Sequence, residues 1–146
     1  MARVSTYINF MGQTEEAFAF YAKAFGTEPS MPPQRYGDGP ADGGPPIADD
    51  DKRKILHAEL PILAGHVLMA TDMLESMGHA VRVGNNVTIN LEPDTREETD
   101  RLFDALSEGA TEQDGMKDMF WGAYWGTCLD RFGIRWMFNC ASETSA

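Results

Sequence analysis

His57 and Glu59 stand two residues apart in the stretch "ILHAELPI". In an extended chain alternate residues share a face, so an imidazole and a carboxylate would lie side by side. Leu56, Ala58, Leu60 and Ile62 would then take the core face. A histidine–carboxylate pair can do general acid–base work, and each group influences the protonation of the other. The same spacing also suits a structural pair, hydrogen-bonded at a module or dimer interface. The other histidines are worse placed for chemistry, His66 beside a hairpin turn and His79 in a polar linker, and both are expected to be exposed. Cys128 has no base at motif spacing and reads as a buried small apolar residue, not a nucleophile.

The elements that must position these residues form an internal repeat. "INFMGQTEEAFAFYAKAF" from Ile8 returns as "INLEPDTREETDRLFDAL" from Ile89. Asn9 matches Asn90 and Thr14 matches Thr95, each 81 positions on. One long offset means two similar supersecondary units, not a solenoid. Each unit opens with a strand. Val4, Thr6, Ile8 and Phe10 alternate with Ser5, Tyr7, Asn9 and Met11; Val87, Ile89 and Leu91 alternate with Asn86, Thr88, Asn90 and Glu92. Each strand leads into a helix. Thr14 and Thr95 read as N-caps ahead of paired glutamates in the first turn, and Gly26 and Gly109 as stops.

Further strands follow each helix. Residues 30–36 suggest one in the first unit, residues 37–51 a mobile loop rich in Gly, Pro and Asp, and residues 55–72 a hairpin around residues 63–65. In the second unit a weak strand near residues 111–117 precedes "GAYWGTCLD" and "IRWMFNC", joined by a turn at residues 131–133. The expected class is α+β, strand–helix–three strands, twice, in one domain over residues 1–146. Module one is about 1–72, the linker about 73–85 and module two about 86–141.

Composition narrows the function classes. The 146 residues are 42% hydrophobic, with three Trp and eight Phe, enough for one good core. A formal net charge of −11 repels phosphate backbones, so nucleic acid is not an expected partner. No apolar run approaches the roughly 20 residues that cross a bilayer, so no membrane partner is expected either. Two cysteines make no disulfide framework and the N-terminus has no signal-peptide pattern, so a reduced, cytoplasmic protein is expected. The 37–51 segment lacks the Lys-Ser/Thr of a phosphate loop.

The stretches "EEAFAFYAKAFG", "HAELPILAGHVLMATD" and "FWGAYWGTCLDRFGIRWMFN" carry a resemblance. Their order and landmarks resemble the vicinal oxygen chelate superfamily, which includes glyoxalase I, extradiol dioxygenases and the fosfomycin and bleomycin resistance proteins. Within it the chain is similar to the PhnB-like branch, also labelled 3-demethylubiquinone-9 3-methyltransferase-like. The resemblance covers nearly the whole chain except residues 37–51. It implies paired βαβββ modules curling into a cup, usually as homodimers, with a divalent ion in metal-dependent members held at four symmetric strand positions.

Placed by turn and helix landmarks, those four positions fall here on Ser5, Asn86, Met69 and Met137. A shift by one residue gives Thr6, Val87, Leu68 or Trp136. None is a good ligand for a hard or borderline ion, so no metal and no cofactor are expected. Tyr7, Asn9, Thr88 and Asn90 would face the cup from the first strands, and Met69 and Met137 would floor it. Arg135 shares a face with Met137 and could bind an anion through paired hydrogen bonds, or serve a surface ion pair. Trp121 and Trp125, with Tyr124, suit a small-molecule pocket and suit a dimer core equally.

Two functional readings therefore stand. One is a metal-free protein that binds a small, partly apolar molecule. The other is a metal-dependent lyase, isomerase or dioxygenase using His57 and Glu59 with a residue from a partner subunit. The methyltransferase label finds no glycine-rich strand-to-helix turn for a nucleotide-like cofactor. A purely structural or regulatory homodimer is a further alternative.

Overall fold

The computed structural model describes residues 1–39 and 46–141. The chain divides into two compact units, one ending at Arg82 and the other beginning at Val83. The first contains β1 (Thr6–Phe10), α1 (Thr14–Phe25), β2 (Gln34–Arg35), β3 (Ile55–Pro61) and β4 (Val67–Asp72). The second contains β5 (Ile89–Leu91), α2 (Arg96–Leu106), β6 (Glu112–Asp118), β7 (Ala123–Leu129) and β8 (Arg135–Ala141). Each is a βαβββ module, and the fold is α+β.

The two sheets share one topology, β1-β4-β3-β2 and β5-β8-β7-β6. The first strand of each lies parallel to the last, and the remaining pairs are antiparallel. One face of each sheet packs on its helix. In the first unit Ile8, Phe10, Leu60 and Leu68 meet a helix face containing Ala17, Phe18 and Tyr21, all buried. In the second, Leu91, Trp136 and Phe138 are buried with Leu102, Phe103 and Leu106. The opposite, open face of each sheet carries the candidate functional residues.

The helix starts differ between the repeats. Thr95 caps α2 as its sequence predicts, its hydroxyl accepting the Glu98 N–H at 3.1 Å. Thr14 does not cap α1. It is the first helical residue, and its N–H instead donates to Oδ1 of Asp72 at 3.0 Å. Gly26 ends α1 in the left-handed region (φ 66°), as expected. The second helix ends at Leu106, and Gly109 turns the chain three residues later (φ 76°).

Several strand expectations are corrected. Only Gln34 and Arg35 of residues 30–36 pair as a strand, because Pro32 and Pro33 have no N–H to donate. Leu56 is exposed, not core: Gln34 and Arg35 oppose His57 and Ile55, which leaves Leu56 as the extra residue of a bulge. Val4 and Val87 lie before the ordered strands and are exposed. Of the expected mobile loop, residues 40–45 lie outside the described residues. Its flanks are single 3₁₀ turns, Tyr36–Asp38 and Asp49–Asp51, and the buried Asp51 ties the second to Lys54 (2.7 Å) and Ser76 (2.5 Å).

Candidate functional site

On the open face of the first sheet, strand register builds a row. Tyr7 is paired with Met69 across β1 and β4, and Met69 with Glu59 across β4 and β3. His57 Nε2 lies 3.2 Å from Glu59 Oε2, both side chains about one-quarter exposed or less. The Tyr7 and His57 rings are 6.0 Å apart at 32°. The structure thus brings together Tyr7, His57, Glu59 and Met69, with Ser5 Oγ 3.9 Å from Met69 Sδ. Asn9 is exposed one rung along, paired with Thr71. An imidazole hydrogen-bonded to a carboxylate can exchange a proton with a bound molecule.

The remaining histidines are engaged. His66 is half-buried and its Nε2 lies 2.9 Å from Thr6 Oγ1, which overturns the expectation of plain exposure. The first residue of β1 reaches the hairpin turn beside His66, a long-range contact with no local sequence signal. His79 is exposed, and its Nδ1 accepts the Leu74 N–H at 3.3 Å.

On the open face of the second sheet Asn90 is paired with Met137, Thr127 lies opposite Met137, Trp125 opposite Asn139, and Leu129 opposite Arg135. Arg135 Nη2 donates to Glu112 Oε2 at 3.1 Å. The Lys117 ammonium sits 5.8 Å from the centre of the Trp125 ring. Two atoms on this face are buried without a hydrogen-bond partner, Nε of Arg135 and Oδ1 of Asn139. Such atoms each cost about 1–3 kcal/mol until something pairs with them. Asn139 alternates with Met137 and Arg135 along β8, but its residue type alone signals no site.

Three expected neighbours are separated. Tyr124 pairs with Cys140 and reaches toward the helix, donating to Asp100 Oδ1 at 2.5 Å beneath the Arg96 guanidinium. That hydrogen bond, with burial, pushes its phenol up to about 12. Trp121 lies in the β6–β7 turn, 55% exposed and edge-to-face with Phe120, which is 96% exposed. Thr88 is exposed and precedes β5. Cys128 is buried, and burial pushes its thiol up to about 11, against a nucleophilic role.

The symmetric placement of Met69 and Met137 needs correction. Asn9 pairs with Thr71, but its repeat counterpart Asn90 pairs with Met137. The counterpart of Met137 is therefore Thr71, and that of Met69 is Arg135, two residues away along the same face. Turn landmarks differ from the register by one rung because the turns are built differently: β3–β4 is a 3₁₀ turn with Ala64 at φ 56°, and β7–β8 closes through Asp130 and Ile134. Within each sheet these positions suit a divalent ion poorly: the first offers the Thr71 hydroxyl, the Asn9 amide and the Met69 thioether, and the second the Met137 thioether, the Asn90 amide and the Arg135 guanidinium. Among the described residues no three His, Cys, Asp or Glu converge.

The relationship to known proteins agrees with this topology. The sequence pattern of the 3-demethylubiquinone-9 3-methyltransferase family matches residues 2–138. The chain belongs to that family. The 3-demethylubiquinone-9 3-methyltransferase family includes the PhnB-like proteins that the sequence resembles, and through them the chain sits in the vicinal oxygen chelate superfamily. Protein YjdN of Escherichia coli (strain K12) is 29% identical over 146 residues, 96% of each chain. Protein PA1353 of Pseudomonas aeruginosa is 33% identical, covers 98% of this chain and all of its own, and superposes with a TM-score of 0.81. The PhnB protein of Bacillus cereus is 23% identical over 96% of this chain and all of its own, with a TM-score of 0.74. A glyoxalase/bleomycin resistance protein/dioxygenase family enzyme of Burkholderia phytofirmans PsJN is 17% identical over 93% of this chain and 97% of its own. Its TM-score of 0.59 shows the shared fold alone. No helix among the described residues is long and apolar enough to cross a membrane.

Proposed function

We propose that the protein binds a small, partly apolar molecule on the open face of its second sheet, without a metal ion. The observation that carries this is the pair of unpartnered buried atoms on β8, the Arg135 Nε donor and the Asn139 Oδ1 acceptor, with Met137 between them. They lie four residues apart on one strand, about 13 Å along it. Trp125 and Met137 supply apolar surface, and the two polar groups fix orientation, the mixture expected of a small-molecule site. A planar molecule with a carboxylate or carbonyl toward Arg135 and a donor toward Asn139 would satisfy both ends.

The reading extends to a cytoplasmic homodimer. Cys128 and Cys140 are free and buried, as in a reducing compartment. Phe120 and Trp121 are exposed aromatics of the kind that anchor interfaces.

A second reading is supported by the 3.2 Å contact of His57 with Glu59 beside Tyr7, which fits acid–base chemistry on the first sheet. An enzyme that needs a divalent ion would have to complete this two-donor set from a partner subunit. Methyl transfer finds no glycine-rich cofactor turn in the chain.

A thermal-shift screen of small aromatic acids, with and without divalent metals, tests the proposal, since a ligand raises apparent stability by mass action. Stabilisation independent of metal and lost in Arg135→Leu supports it. A stoichiometric metal that survives dialysis and is lost in His57→Ala would replace it with the metalloenzyme reading.

A further inference from the structure

We infer that a second site, formed by α1, residues 29–33 and β3, binds a small neutral molecule with an apolar body and one hydroxyl or carbonyl group. The cavity there has a volume of about 230 Å³, and its walls include Phe18, Ala22, Met31 and Ile55. An apolar cavity of roughly 150 Å³ is enough to take up benzene, so this one holds a single ring with a polar substituent. It opens where β2 has ended: Gln34 and Arg35 pair only as far as His57, and Glu59 lines the cavity just beyond.

Thr14 supplies the polar contact. It lines the cavity, its exposure is 0%, and its Oγ1 has no hydrogen-bond partner. Comparison of the two repeats shows how it was left that way. In the second module Thr95 spends its hydroxyl on the Glu98 N–H. In the first, Asp72 takes the helix start and Thr14 moves inside the helix, so its hydroxyl is released from capping. A hydroxyl donates to a carbonyl and accepts from an alcohol or phenol.

Charge excludes an anion, because the charged residues of the lining, Glu15 and Glu59, are both acidic. Neither needs a cationic ligand, since Glu15 is paired with Arg35 and Glu59 with His57. A neutral ligand remains. This site is independent of the one proposed on β8, and either reading can fail alone.

The test is an NMR titration of the ¹⁵N-labelled protein with phenol, and with toluene as the same shape without the hydroxyl. Phenol is expected to shift the Thr14, Ala19 and Ala22 amides saturably, with a Kd of about 1 mM as suits a ligand this small. Toluene loses that hydrogen bond but buries a methyl group in its place, so it should shift the same amides with a Kd within a few-fold of phenol's. Thr14→Val should weaken phenol about fivefold to tenfold and leave toluene unchanged, Thr14→Ser should restore phenol, and Ala22→Phe should block both probes. Phenol affinity left unchanged by Thr14→Val overturns the inference. So does an absence of saturable shifts at α1, or phenol binding that survives Ala22→Phe.

Discussion

The carboxylate of Asp72, the last residue of β4, holds the amide of Thr14, the first residue of α1, at 3.0 Å. Its other oxygen accepts the Ile55 N–H at 2.8 Å. One buried side chain therefore ties the helix start to two strands, and anchors the wall of the α1 cavity. Asp72→Ala strands both amides and should cost about 3 kcal/mol in urea unfolding. A loss under about 1 kcal/mol would show that water replaces the carboxylate.

The two threonines at equivalent repeat positions should respond in opposite ways. Thr95→Ala removes a working cap and should cost about 1 kcal/mol. Thr14→Val removes a buried hydroxyl that has no partner and should cost under about 0.5 kcal/mol, or stabilise. Equal losses in chemical denaturation would contradict the assigned roles.

Asp51 gives a pH dependence of known sign. Its hydrogen bonds from Lys54 and Ser76 hold the carboxyl below its ordinary 3.8. A depressed folded-state pKa contributes stability that is complete above the unfolded value. It is lost as pH falls through the lower folded value. Asp51→Asn should therefore narrow its deficit relative to wild type as pH drops from neutral to below 3.8, read from urea midpoints. A deficit that stays constant across that window would assign Asp51 a role without charge.

Local patterns carried the fold. Alternation placed Ile8, Phe10, Trp136 and Phe138 in the core, Gly26 stopped α1, and Thr95 capped α2. What stayed hidden depends on residues distant in sequence. Thr14 lost its cap role to Asp72, 58 positions away. Leu56 left the core face through a bulge set by pairing with β2. Of the site, His57 and Glu59 were legible because i and i+2 along a strand must share a face. Asn139 carries no such signal, because a lone Asn has no chemistry of its own and only burial leaves its Oδ1 unpaired. Met69 and Met137 are not register equivalents, because turns locate a strand less well than register does.

Whether Arg135 and Asn139 hold a ligand over Met137 is tested most directly by methyl and indole NMR of the protein titrated with planar aromatic carboxylates that carry a hydrogen-bond donor away from the carboxylate, 6-hydroxy-2-naphthoate and indole-3-acetate among them. Saturable shifts of the Met137 methyl and the Trp125 indole are expected for at least one compound, at least about tenfold weaker in both Arg135→Leu and Asn139→Ala. Saturable binding that leaves Met137 and Trp125 unmoved, or that both variants retain at full strength, would contradict this site.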